Sequence, residues 1–234
     1  MRKAYLLAGA TASGKTAIAA ALAREMGAAV ISADSMLVYK GMDIGTAKPT
    51  RAEREGYPLG CIDLVTPAEP FSAGDWLRAA QAFAATLPPS QPIIVAGGTG
   101  LYFSALLRGL DGEWRNPPPE YPVLLCSDRD ARRSRIMARL DKMFADGLEE
   151  EVRRLKVQYP VWSVTAAAAI GYKEWDLWGW NAPVVKEKIY FRTCQYAKRQ
   201  ETWFRHQSTP VYVEASVSAL RALWSASGPV LVDL

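Results

Sequence analysis

The 234 residues carry 28 basic and 24 acidic side chains, a net charge of +4, with 50% apolar and 22% charged. That balance excludes disorder and collagen-like repeats and permits one sizeable core. Three cysteines, Cys61, Cys126 and Cys194, are too far apart for a disulfide framework or a cysteine zinc site. A single histidine, His206, removes most metal-hydrolase and catalytic-triad chemistries. Any reaction here rests on Asp, Thr, Lys and Arg. An apolar run at 4–10 behind Met1-Arg2-Lys3 imitates a signal peptide, but Lys15 ends it too early and nothing approaches the length of a membrane span. The expectation is a cytoplasmic, monomeric chain with no membrane partner.

In chain order, apolar 4–8 reads as a buried strand, then a glycine-bearing turn, then an alanine-rich helix over 16–26 that ends near Gly27. A second strand is expected at 29–32. Ser72 and Asp75 form a capping box opening a helix to Leu87, and 92–96 reads as a third strand. A helix after Thr99 to Leu107 leads into a proline-rich connection at 109–121, followed by a strand at 123–126. Beyond it Asp128 caps a helix to Asp146, Gly147 breaks it, 148–159 continues, and Asn181 with Pro183 opens a long helix. Strands alternating with helices predict an α/β fold, a parallel sheet flanked by helices with a helical C-terminal half, all in one domain over 1–234. The whole charge excess lies at 184–206, six basic residues against two acidic, which suggests an anionic partner or a solvated helix face.

Gly9 to Thr16 fit G-x-x-x-x-G-K-[ST] between a predicted strand and helix. Such a loop aims backbone amides and a helix N-terminus at one anion, Lys15 adds a point charge, and the Thr16 hydroxyl can ligate Mg²⁺. Thr11, Ala12, Ser13, Gly14, Lys15 and Thr16 are therefore the candidate diphosphate-binding residues, with Thr16 the metal ligand. Asp34, after the second strand, falls at the carboxyl edge of a parallel sheet beside that loop, as a base, a Mg²⁺ partner or a turn aspartate. The third strand runs into Gly97-Gly98-Thr99-Gly100, where an ordinary nucleoside-triphosphatase would carry an acid. Trp162, Trp175, Trp178, Trp180 and Trp203 read as packing ahead of base stacking, and none is placed in the site.

The blocks GATASGKT, ISADSMLVYKGMDIGTAKP, VAGGTGLYFSALLRGL, RIMARLDKMFADGLEEEVRRL, AIGYKE and QYAKRQETWFR, in this order, resemble the tRNA dimethylallyltransferases over residues 6–205. The resemblance implies a P-loop, nucleotide-kinase-like core that binds dimethylallyl diphosphate with Mg²⁺. The prenyl group then passes to the N6 amine of adenosine 37, beside the tRNA anticodon. It implies that Asp34 takes the amine proton, that Thr99 bonds the bridging oxygen of the leaving diphosphate, and that Arg139 grips that diphosphate. These roles suit general-base and oxyanion-stabilising chemistry. Ser35, Met36 and Leu37 beside Asp34, with Lys198 and Arg199, become the acceptor-binding candidates.

Three features depart from the family pattern. The connection at 109–121 stands where relatives carry an inserted helical domain that grips the anticodon stem, Leu37 replaces a glutamine, and Leu59-Gly60 replace a histidine pair. The donor chemistry is complete, whereas the acceptor is either the tRNA anticodon loop or a free AMP, ADP or ATP. A P-loop small-molecule kinase and a non-catalytic tRNA-binding remnant are the other readings.

Overall fold

The computed structural model describes residues 2–109, 121–125, 129–207 and 210–234. The strands β1 (Arg2–Gly9), β2 (Ala29–Ala33), β3 (Leu59–Gly60), β4 (Ile93–Gly97), β5 (Tyr121–Leu125) and β6 (Pro210–Glu214) lie in the order β3-β2-β4-β1-β5-β6, all pairing parallel. A last strand, β7 (Val230–Val232), runs antiparallel against the start of β1. The parallel expectation holds for all pairs but that one.

Successive side chains of β1 point to opposite faces. Leu6 and Ala8 join a core with Trp76, Phe103 and Phe204, while Leu7 joins Leu22, Ile94 and Trp224 on the other side. Helices α2 (Ala73–Ala85) and α3 (Gly100–Arg108) cover the first face. Helices α1 (Lys15–Met26) and α9 (Val217–Ser227) cover the second. Local chemistry fixes several boundaries. Gly27 takes φ 62° where α1 stops, and Ser72 and Asp75 make the expected capping box at the start of α2.

The C-terminal half is mostly helical: α4 (Arg129–Ala145), α5 (Leu148–Gln158), the short α6 (Val164–Ala167) and α7 (Lys173–Trp178), and the long α8 (Ala182–Gln207). These five helices build a separate core, in which Leu140, Val152, Ala166, Trp175 and Ile189 pack around Val38, Tyr39 and Met42. The expected α4 cap Asp128, the strand residue Cys126 and most of the 109–121 connection lie outside the described residues. The strands β3, β6 and β7 and the helices α6, α7 and α9 were not anticipated. All but the eleven-residue α9 are short, and β6 and β7 become strands by pairing with β5 and β1, which are distant in sequence. Among the described residues no helix is long and apolar enough to cross a membrane.

Candidate active site

The carboxyl ends of β1, β2 and β4 bring three loops together. After β1 the chain turns through Ala12 at φ 63° and Gly14 at φ 89° before entering α1. A Cβ at Gly14 would meet no neighbour, so glycine is required there by the left-handed backbone and not by space. The Ser13 amide donates to the Ala10 carbonyl at 3.2 Å, which closes the turn and leaves the first amides of α1 facing outward. Ser13 is buried and its Oγ has no partner among the described residues. Thr11 is used differently, since its amide donates to Gln200 Oε1 at 2.8 Å.

Lys15 Nζ reaches the Ala10 carbonyl at 3.4 Å. Desolvation lowers its pKa to about 8; the charge of Asp34 resists the fall and the like charge of Arg139 adds to it. Although the residue is only half-buried, its ammonium sits far enough inside for burial to dominate. Arg139, on α4, donates from Nη2 to the Thr46 carbonyl at 3.0 Å, while its Nε is buried without a partner among the described residues. Burial lowers its pKa against the pull of Asp34. A guanidinium does not give up its proton under ordinary conditions, so two enclosed cations and an orphaned serine hydroxyl mark a place prepared for an anion.

Asp34 directly follows β2. Its Oδ1 accepts the Met36 amide at 2.9 Å, so the turn-aspartate reading is realised, and its charge also acts on Lys15, Arg139 and Tyr196. Thr99, after β4, donates its amide to the Ala33 carbonyl at 3.0 Å, and its Oγ1 accepts the Ser35 amide at 2.9 Å. The two turns are thereby locked to each other. Lys15, Thr16, Asp34 and Leu37 line one cavity, whose far wall is apolar: Ala19, Ala20, Val30 and Leu59. The exposed Thr16 borders that cavity.

Of the expected acceptor residues, Ser35 and Met36 serve the turn through their amides and Leu37 faces the cavity. Lys198 and Arg199 are exposed on α8, with the Arg199 guanidinium 5.6 Å from the Tyr196 ring centre. Trp203 packs on Gly100 and Trp175 is fully buried, consistent with packing roles.

Several residues that organise the site escaped the sequence reading. Gln200 donates from Nε2 to the Gly98 carbonyl at 2.9 Å, and a Cβ on Gly98 would lie 2.4 Å from that nitrogen. Arg135 Nε bonds the Ala12 carbonyl at 3.0 Å. The loop presenting Thr46 is fixed by Glu151, whose carboxylate accepts the amides of Asp43, Ile44 and Gly45 and the Tyr172 hydroxyl. Lys48 ties the same loop to Asp43 and Asp63. One signal was present for Gln200: it sits three residues after Ala197 and four before Phe204 on the buried stripe of α8, where an uncharged polar side chain needs partners.

Against this geometry, the profile of the IPP transferase family matches residues 37–121 and 113–207, and that of the isopentenyl transferases matches 2–58. The chain belongs to the IPP transferase family. Relatives within it include a tRNA dimethylallyltransferase of Trichormus variabilis, 31% identical over 88% of this chain and 92% of its own length. Another, of Desulfosudis oleivorans, is 31% identical over 91% of each chain. A solved tRNA isopentenylpyrophosphate transferase of Staphylococcus epidermidis superposes with a TM-score of 0.81 at 26% identity, over 96% of this chain and 98% of the other. The family assignment makes the protein a prenyltransferase with a P-loop core. The Trichormus alignment runs over 271 positions, whereas 88% of 234 residues is about 206, so about 65 aligned positions have no residue from this chain.

Proposed function

We propose that this protein transfers the dimethylallyl group of dimethylallyl diphosphate to the N6 amine of adenosine 37, beside the tRNA anticodon, releasing diphosphate. The observation that carries the reading is the meeting of Asp34, Thr99, Lys15 and Arg139 at one sheet edge in a member of this family. The N6 lone pair attacks the allylic carbon as its bond to oxygen breaks, and the bonding pair stays on the diphosphate. Asp34 takes the proton that the amine loses. The Thr99 hydroxyl donates to the departing oxygen, while Lys15, Arg139 and the open amides of the loop take up the growing charge.

Mg²⁺ fits the donor set: a hard-oxygen hydroxyl at Thr16 stands beside the anion cradle, with Asp34 on the same cavity. Among the described residues no three His, Cys, Asp or Glu side chains cluster, so the ion would take its other ligands from diphosphate and water. When bound, it neutralises charge on the leaving group. The apolar wall of the cavity suits the five-carbon group. Exposed Lys198 and Arg199 contact RNA phosphates in this reading.

The roughly 65 missing positions favour placing the lost segment at 109–121, where the two stretches matching the family profile meet. That shortening motivates a second acceptor, a free adenine nucleotide. The test is transfer from labelled dimethylallyl diphosphate with Mg²⁺ to unmodified tRNA, an anticodon stem-loop, AMP and ATP, with Asp34→Ala as control. Product on tRNA and the stem-loop supports the reading. Product on AMP or ATP alone overturns its acceptor, and no product on any acceptor overturns the reaction.

A further inference from the structure

The parallel ladder between β1 and β4 ends at Ala8 and Gly97. Beyond it the phosphate loop and the turn carrying Thr99 continue as separate loops, and the buried side chain of Gln200, on α8, spans them. Its Oε1 accepts from the Thr11 amide at 2.8 Å and its Nε2 donates to the Gly98 carbonyl at 2.9 Å. The side-chain amide thus stands where a further peptide would stand in a sheet, accepting on one side and donating on the other. Its orientation is fixed, because the flipped form would set N–H against N–H and oxygen against oxygen. We propose that Gln200 is a positioning residue that sets the distance between the phosphate loop and Thr99, so that the oxygen through which diphosphate departs lies within reach of the Thr99 hydroxyl.

The fit is made from both sides. A Cβ on Gly98 would collide with the Gln200 amide and one on Gly100 with the Trp203 ring, so α8 seats two side chains, three residues apart, on the two glycines that flank Thr99. Phe204, next along the same helix, anchors it in the core of the sheet. The other bonds of Thr99 run toward β2: its amide donates to the Ala33 carbonyl and its Oγ1 accepts the Ser35 amide. Those bonds hold the turn to Asp34 but do not set its distance from the phosphate loop. Lys15 and the first amides of α1, which hold the diphosphate, are not partners in the two Gln200 bonds, so cutting those bonds moves Thr99 relative to the anion without dismantling the cradle. Misplacing a donor by 1 Å costs up to about 10²-fold in rate.

The inference rests on the prenyl-transfer reading. Its test is steady-state transfer to tRNA by wild type, Gln200→Met, Thr99→Val and their double variant, with denaturant unfolding alongside. Methionine keeps the length of the side chain and removes both bonds. Gln200→Met lowers kcat roughly tenfold or more with the KM for dimethylallyl diphosphate within about threefold, and Thr99→Val then adds less than about threefold, because its hydroxyl is already out of place. A glutamine that only satisfied buried polar groups would lower the unfolding midpoint and leave kcat as in wild type, or would multiply its loss with that of Thr99→Val. Either result overturns the inference and leaves prenyl transfer intact. Should methionine prevent folding, Gln200→Glu decides. Protonated, the introduced carboxyl makes both bonds; ionised, it can only accept and opposes the Gly98 carbonyl. Its kcat relative to wild type falls as pH rises, the titrations of the cradle cancelling in the ratio, and a flat ratio overturns the inference. An inactive wild type overturns the prenyl-transfer reading as well.

Discussion

The two sides of the cleft are built by different means. On the sheet side, Asp34, Thr99 and the phosphate loop each lie at or within two residues of the carboxyl end of a strand, and strand register sets their relative positions: Ala33 pairs with Gly97, Ala8 with Gly97. On the helical side, Arg139 and Gln200 arrive from α4 and α8, and each acts through one or two side-chain bonds to a partner 93 to 189 residues away. The sheet side is held by many backbone bonds at once. The helical side can be disconnected one bond at a time, which makes it the place where activity and stability separate.

Four measurements sharpen that contrast. Asp34→Asn, on the sheet side, lowers kcat by about 10³-fold, because it removes a general base. Diphosphate affinity, read by calorimetry, is held or slightly raised, since the change also removes a negative charge beside Lys15 and Arg139. An equal loss of affinity would assign Asp34 to the metal or phosphate instead. Glu151→Ala leaves three loop amides and the Tyr172 hydroxyl without their acceptor and costs roughly 3 kcal/mol in denaturant unfolding. A fall below about 1 kcal/mol would show that the loop holds itself.

Arg139→Ala weakens diphosphate binding and turnover together, by about 2 kcal/mol in affinity, as expected for a charge-assisted contact. An effect on turnover alone would confine the arginine to the transition state. The smallest effect is on pH. Free Lys15 loses its proton near pH 8, and only the charged form attracts the anion. Diphosphate affinity is therefore flat below that value and falls as pH rises through it, approaching tenfold per unit. A flat profile to pH 10 would show that the empty cradle leaves Lys15 charged.

The loop Gly9–Thr16 was legible because a phosphate cradle is a local object: its φ values and glycine spacing are set within eight residues. Asp34 and Thr99 were legible for a related reason, as the parallel-sheet rule sends residues after strands to one edge. Gln200 lies within QYAKRQ, where the sequence points first to the charged Lys198 and Arg199, which the structure turns outward. Charge draws attention in a sequence, but a buried amide with two hydrogen-bonding partners on separate loops has its meaning only where α8 crosses those loops.

From the sequence alone came the alternation of strand and helix, the anion cradle, the edge position of Asp34 and the family resemblance, all of which depend on spacing along the chain. Tertiary structure decided which helices close the cleft, that the Thr11 amide is spent on Gln200, and that Glu151 from α5 steadies the turn holding Arg139. It also decided that β6 and β7 are strands. The physical reason is the same in each case: a hydrogen bond spanning a hundred residues leaves no periodicity behind, and its partners become neighbours only when the core packs.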